Sequence, residues 1–291
     1  MSNRKNAIRR QFNRSAAGSY DKHAQVQRSM ADRLAKKLLK AADQEETTRL
    51  NIVEIGCGTG TLTEMLVNDW PGASITALDI APAMIEAAEQ RVKASDESGC
   101  SSSRVRFLHA DVEKWAPDAP AESFDFIVAN ACFQWLSRPS ETLENLRRLL
   151  RPNGLLVFTT FGPDTFRELH EAFDAVYRAS GIEPQRHGLS FQSPTEWHSL
   201  LEEAGFSTIQ FERAIQTEKY ASAKDFLHSV KAVGASTSEA AVLRGLSTRQ
   251  LFAGMYKEYE NKFSIPEGVT ATYDLLFIQA GVPRKNGIAL V

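Results

Sequence analysis

The sequence predicts an α/β protein built on a seven-stranded, mostly parallel sheet with helices on both faces. Three observations carry that expectation. From Leu50 onward, short apolar and β-branched runs alternate with helix-period stretches; a glycine-rich turn follows the first run; and Asp79, Asp111 and Asn130 close the next three. With 291 residues and 43% apolar content, the chain can fill such a core.

Residues 1–45 read as a basic helical segment, and 46–291 as the sheet-bearing domain. LNIVEI (50–55) is the first strand, followed by a glycine-rich turn and a helix near 61–69. SITALDI (74–80) leads into PAMIEAAEQRV, where Pro82 suits a first helical turn. VRFLHA (105–110) and FDFIVA (124–129) are the third and fourth strands. A helix over 139–150, ended by Pro152 and Gly154, precedes GLLVFTTF (154–161). DESGCSSS (96–103) reads as a surface loop. Helices are expected over 165–179 and over 193–206, the second starting at a Ser cap, with STIQFERAI as the sixth strand. Two more helices fill the roughly 50 residues before the last strand, 271–280, a separation too long for a plain connection. Helical cap insertions are therefore placed near 163–192 and 217–267.

Composition excludes several classes. No apolar run approaches the length of a membrane span, and no apolar segment follows the charged amino terminus, so a cytoplasmic protein without membrane attachment is expected. Cys57, Cys100 and Cys132 are odd in number and widely spaced, which suggests reduced thiols and no metal site. Residues 1–40 hold eleven Lys and Arg against two Asp, leaving 23 basic against 34 acidic residues in the rest of the chain. That basic arm is either a solvated helical face or a docking surface for an acidic partner.

The chemistry concentrates in VEIGCGTGT, 53–61. Glycines let a ligand approach the backbone closely, and free amides at a helix start suit an anion. A dinucleotide fingerprint would need its third glycine five residues after the first, but Gly60 stands at four and Thr61 at five. No Gly-Lys-Ser/Thr follows, so the phosphate-loop pattern fails as well. Asp79 and Asp111, taken singly, could be helix caps or turn residues; with the glycine turn they outline one crevice at successive strand ends.

Glu54-x-Gly56-x-Gly58-x-Gly60 after a first strand resembles the first motif of Rossmann-like, class I S-adenosylmethionine-dependent methyltransferases. The resemblance implies that Glu54 and the backbone of Gly56, Cys57, Gly58 and Gly60 surround the methionine end of the cofactor. It implies Asp79 with Ile80 on the ribose, Ala110, Asp111 and Val112 about the adenine, and Asn130 beside the sulfonium. The run after the fourth strand, Asn130-Ala131-Cys132-Phe133, lacks the prolines of adenine-amine methyltransferases, and Cys132 follows Ala where a cytosine-C5 nucleophile usually follows Pro. Cys132 is read as a small packing residue, and with an acidic body nucleic acid is not expected as substrate.

Over its whole length the chain resembles the malonyl-acyl-carrier-protein O-methyltransferases of biotin synthesis. The residues carrying this are FNRSAAGSYDKHAQVQ (12–27), the glycine motif, NACFQWL (130–136), FTTFGPDTFRELHEAF (158–173), FLHSVKAVGAS (226–236) and ATYDLLF (271–277). Residues 94–103 depart from the family in being longer and more polar. The resemblance implies methyl transfer to the free carboxylate of a malonyl thioester on acyl carrier protein, leaving S-adenosylhomocysteine. A carboxylate is ionised at neutral pH, so no general base is required. Desolvating it requires a cation, for which Lys231 is the first choice and Arg147, Arg148, Arg167 and Arg178 are weaker ones. The amino-terminal segment is implied to fold over the cofactor, with His23 near it and Tyr20 donating to the acceptor or closing the pocket. Phe133, Gln134 and Trp135 are expected to line the thioester end. Arg9, Arg10 and Arg14 of the basic arm would steer an acidic carrier. Rival readings are a free-acid methyltransferase of the aconitate type, a non-catalytic S-adenosylmethionine-binding protein and, least favoured by the glycine spacing, a nicotinamide oxidoreductase.

Overall fold

The protein is seen in a computed structural model that describes residues 3–16, 20–41, 50–95, 104–234 and 247–283. The expected loop at 96–103, with Cys100, lies outside the described residues. The chain opens with α1 (Asn3–Ala16), α2 (Tyr20–His23) and α3 (Gln25–Ala41). Next come β1 (Asn51–Ile55), α4 (Thr61–Asp69), β2 (Ser74–Asp79), α5 (Pro82–Ser95), β3 (Val105–His109), α6 (Val112–Trp115) and β4 (Phe124–Ala129). After these follow α7 (Pro139–Leu149), β5 (Leu150–Phe161), α8 (Arg167–Ala179), α9 (Pro194–Glu203) and β6 (Ser207–Tyr220). The chain finishes through α10 (Ala223–Ala232), α11 (Thr248–Phe263), β7 (Ser264–Ile265) and β8 (Gly268–Gly281).

The sheet runs β3-β2-β1-β4-β5-β8-β6, with the two-residue β7 antiparallel to β8. Its first five members pair in parallel. Strand order reverses beside β1, between β2 and β4, and such a reversal opens a crevice at the carboxyl ends of the strands.

Some boundaries differ from the sequence reading. β5 begins at Leu150, so Pro152 and Gly154 lie inside the strand rather than ending α7. The proline loses nothing there that a strand entrance cannot spare. α6 is a single turn that apolar periodicity is too short to reveal; it starts at Asp111, whose side chain accepts from the Glu113 backbone N–H. β6 runs on to Tyr220, with half-buried and exposed positions alternating as on a strand with one covered face.

The chain divides into two compact units: Met1–Thr160, Ser193–Glu212 and Leu276–Val291 in the first, Phe161–Gln192 and Arg213–Leu275 in the second. In the first, successive strand residues feed opposite cores, which is why FDFIVA is apolar from Phe126 onward; its one polar residue, Asp125, sits at the strand entrance, where it accepts from the Asn51 backbone N–H and pairs with Arg151. Ile127, Leu156 and Phe158 pack with Leu143 and Leu146 of α7 and with Trp197 and Leu201 of α9. Val128 and Val157, one residue along, pack with Leu34 and Leu38 of α3 and with Leu62 and Leu66 of α4. α3 is held further by Arg33 and Lys37, both paired with Glu212 at 2.5 Å, and by the Arg33 guanidinium 4.1 Å above the Phe277 ring.

In the second unit α8 packs against α11. The Tyr177 hydroxyl and His187 Nε2 are hydrogen-bonded at 2.6 Å, and the His187 ring stacks on Phe173 with centroids 3.8 Å apart. Asp274 is fully buried, takes Arg213 Nε at 2.8 Å and Nη2 at 2.9 Å, and accepts from the Asp164 backbone N–H.

Candidate functional site

The crevice begins where β1 ends. Gly56 has a φ of +71°, and a side-chain carbon there would collide with Cys132, so both backbone geometry and packing demand glycine. At Gly58, φ is +55° and a side-chain carbon would meet nothing within 4 Å, so bare backbone faces open space. Glu54 on β1 is buried, and the Thr63 hydroxyl of α4 donates to its Oε2 at 2.6 Å. Burial, with the Asp79 charge adding to it and the Thr63 hydrogen bond opposing, pushes the Glu54 carboxyl up to about 8.

Asp79, at the end of β2, joins two turns. Its Oδ2 accepts from the Gly58 backbone N–H at 3.0 Å and its Oδ1 from the Ala81 N–H at 2.8 Å, so it braces the glycine loop and the approach to α5 together. Burial pushes this carboxyl up to about 6 against those two hydrogen bonds. Asp111, after β3, caps α6 and also receives Lys5 Nζ on Oδ1 at 2.5 Å; the same ammonium pairs with Glu113. Glu113 Oε1 in turn accepts the backbone N–H groups of Ser137 and Arg138 at 2.8 and 2.5 Å. Of the two roles weighed for these aspartates, Asp111 is the helix cap and Asp79 the turn residue; Asp111 Oδ1 already accepts from both Lys5 and the Glu113 backbone N–H.

The run after β4 turns sharply. Ala131 has a φ of +47°, and its backbone N–H donates to the Thr159 carbonyl at 3.1 Å and the Thr159 hydroxyl at 3.0 Å. Asn130 accepts from the Thr159 hydroxyl at 2.7 Å and donates to the Gln27 carbonyl of α3 at 2.9 Å. The Gln134 amide donates to the Ala131 carbonyl at 2.7 Å and accepts from the Thr160 hydroxyl at 3.2 Å, so it braces this turn and lines neither of the cavities described next. Phe133, expected on the pocket wall, is instead core: it is 1% exposed, with its ring 4.6 Å from Phe158. Trp135 does reach the crevice, meeting the Phe12 ring edge-on at 5.5 Å.

Two adjoining hollows result. The larger holds about 730 Å³, counting its mouth, between Gly56, Gly58, Asp79, Ile80, Ala110, Asp111, Val112 and Asn130 on one side and Lys5, Ile8, Phe12 and Tyr20 on the other. The smaller, about 420 Å³, lies by Glu54, Cys57, Thr59, Tyr20, Gln27 and Arg28. Tyr20, Gly56, Gly58 and Asn130 line both. Burial and the Asp79 charge push the Tyr20 hydroxyl upward, keeping it a neutral donor. Burial likewise pushes the Cys132 thiol up to about 12, which fits a packing residue and not a nucleophile. His23 is half-buried on α2 and lines neither hollow. Lys231 is exposed on α10, in the second unit.

Sequence reasoning missed Lys5, Ile8, Phe12 and Arg28. The first three recur at helical spacing along α1, so a face was readable, but nothing local says which cavity that face closes. Among the described residues, no group of His, Cys, Asp or Glu is arranged to hold a metal, and no helix is long and apolar enough to cross a membrane.

Residues 22–210 match a family model described as a methyltransferase domain. A malonyl-[acyl-carrier protein] O-methyltransferase of Paenibacillus sp. (strain JDR-2) is 58% identical over 281 residues, spanning 97% of this chain and 100% of that protein. The protein of the same description from Brevibacillus brevis is 41% identical, spanning 95% of this chain and 96% of its own. Among solved structures, magnesium protoporphyrin IX methyltransferase from Synechocystis PCC 6803 superposes with a TM-score of 0.56 at 15% identity, spanning 96% of this chain and 99% of that one. At that identity the likeness shows the shared fold.

The raised Glu54 carboxyl gives a pH signature. A carboxyl held above its ordinary range takes up a proton on folding, so its contribution to stability is full at acidic pH and lost as pH climbs. The empty protein should lose unfolding free energy between about pH 4.5 and about pH 8. Glu54→Gln, which keeps the Thr63 hydrogen bond but cannot ionise, should flatten that slope in urea titrations across the range. An unchanged slope would show that Glu54 does not carry it.

Proposed function

The chain belongs to the malonyl-[acyl-carrier protein] O-methyltransferase family, and from that premise we propose that it methylates the free carboxylate of a malonyl thioester on acyl carrier protein, using S-adenosylmethionine. On this reading it is a cytoplasmic enzyme acting early in biotin synthesis, and it releases the methyl ester with S-adenosylhomocysteine.

The observation that supports it most is the crevice itself: bare backbone at Gly58, two buried carboxyls at Glu54 and Asp79, and a closing wall from α1 and α2. This donor set suits a long, polar-ended cationic ligand. Asp79 and Ile80 would hold the ribose; Ala110, Asp111 and Val112 the adenine; Glu54 with Gly56, Cys57, Gly58 and Gly60 the amino-acid end. Asp111 Oδ2 is the oxygen left for the adenine amine, because Lys5 holds Oδ1. S-adenosylmethionine supplies an electrophilic methyl group: a carboxylate oxygen forms the new C–O bond while the C–S electron pair leaves with the sulfur.

The chain's own residues have little proton chemistry to do. The acceptor is already an anion, so positioning and exclusion of water lead, and well-oriented reactants gain on the order of 7–11 kcal/mol. Tyr20 is proposed to donate its hydroxyl to the acceptor carboxylate, and Asn130 to fix the wall beside the sulfur. Gln134 serves this site by bracing the Ala131 turn. A cation must offset the acceptor charge, and Lys231 remains the residue proposed for it.

α1 supplies a surface for the carrier. Lys5, Ile8 and Phe12 line the crevice, whereas Arg4, Arg10 and Arg14 are exposed. Among the described residues no carboxylate pairs with any of these three arginines, and α1 contains no acidic residue. Acyl carrier proteins are acidic, so this row of charge would draw one to the helix that closes the crevice.

Two measurements test the proposal. Mass spectrometry of malonyl carrier protein incubated with enzyme and donor should show one added methyl group; methylation of free di- or tricarboxylates alone would overturn the acceptor assignment. Reversing Arg4, Arg10 and Arg14 to Glu should raise KM for the carrier-bound substrate roughly tenfold at low salt and leave a small malonyl thioester unaffected. Equal loss on both substrates would contradict carrier docking on α1.

A further inference from the structure

The glycine loop is fixed from outside by a closed triangle of side chains. Thr59 stands between Gly58 and Gly60, two residues of positive φ with no side chains to pin them. Its hydroxyl donates to Asp21 Oδ1 at 2.6 Å, and its carbonyl accepts from Arg91 Nε at 2.8 Å. The third side is the ion pair between Arg91 Nη2 and Asp21 Oδ2. Arg91 projects from α5, reaches Glu64 of α4 at 3.5 Å with its other nitrogen, and so spans two helices of the sheet. Asp21 sits on α2, next in sequence to Tyr20, which lines both hollows.

We infer that Asp21 and Arg91 are positioning residues: their triangle with Thr59 sets the floor of the crevice, the glycine loop, in register with its wall at Tyr20. This rests on reading the crevice as the donor site. Three features favour a positional role over plain stability. Arg91 and Asp21 side chains remain 25% and 39% exposed, and ion pairs so placed contribute little to folding. Two of the three contacts converge on one loop residue, through its hydroxyl and its carbonyl separately, and the third ties their partners together. The planar guanidinium serves both the carbonyl and the carboxylate at once, which a lysine ammonium cannot do with the same geometry. A modest, solvent-reachable clasp can also open, as entry of a ligand beneath Tyr20 requires.

The test is S-adenosylhomocysteine affinity by calorimetry and donor KM for Asp21→Ala, Arg91→Ala, Thr59→Val and the Asp21→Ala/Arg91→Ala double variant, with melting temperatures alongside. Each single variant should weaken donor binding about tenfold, with melting temperature little changed, and the double variant should be no weaker than the worse single one. Asp21→Asn, which still accepts from Thr59, should recover part of the loss. Donor binding unchanged in the single variants, multiplicative losses in the double, or losses that track melting temperature would overturn the clasp. Thr59→Val keeps the test open if removal of a charged partner prevents folding. Wild-type protein that bound no S-adenosylhomocysteine would defeat the donor reading itself, a result distinct from any of these.

Discussion

The Asp79 carboxylate joins the loop after β1 to the turn before α5, taking one backbone N–H from each, and the crevice exists because those two turns are held apart at a fixed width. Parallel strands end side by side, and the polar groups gathered there must be satisfied by one another or by a ligand. Asp79 does this at the price of its own burial, which raises its carboxyl to about 6. Glu54, deeper and short of backbone donors, goes higher, to about 8. A crevice lined by carboxyls that resist ionisation when empty is suited to a ligand that brings positive charge, because that charge restores the ionised form.

The amino-terminal helices complete this arrangement from far away in sequence. Lys5 neutralises Asp111 and Glu113, Phe12 meets Trp135, and Asp21 clamps Thr59 together with Arg91. Each contact takes one element of the wall to one strand end. The polar contacts are ionic or hydrogen-bonded and partly solvent-reachable in the case of Asp21, whereas α3 is anchored by a full apolar face. The Lys5 pairs are buried, whereas the Asp21 clasp stays solvent-reachable.

Much of the sheet was legible in the sequence because its signals are local. FDFIVA is apolar from Phe126 to Ala129 since Ile127 and Val128 enter opposite cores, and the glycine spacing of 56, 58 and 60 reports positive φ directly. Asp79 was found by its place at a strand end. What sequence could not supply was the partner across space: Lys5 lies 106 residues from Asp111, and Arg91 70 residues from Asp21. Phe133 and Trp135 are two residues apart in a similar local pattern, yet one enters the core against Phe158 and the other faces the crevice. The short turn at 133–135 decides between them, and its geometry depends on Thr159 holding the Ala131 backbone.

A crystal structure with S-adenosylhomocysteine bears most directly on this account. It should show the ribose hydroxyls on Asp79 while Gly58 and Ala81 keep their bonds to it, the adenine beside Asp111 with Lys5 still in place, and the amino-acid end between Glu54 and Tyr20. A nucleoside bound away from these strand ends, or an Asp79 that makes no contact with it, would contradict the assignment.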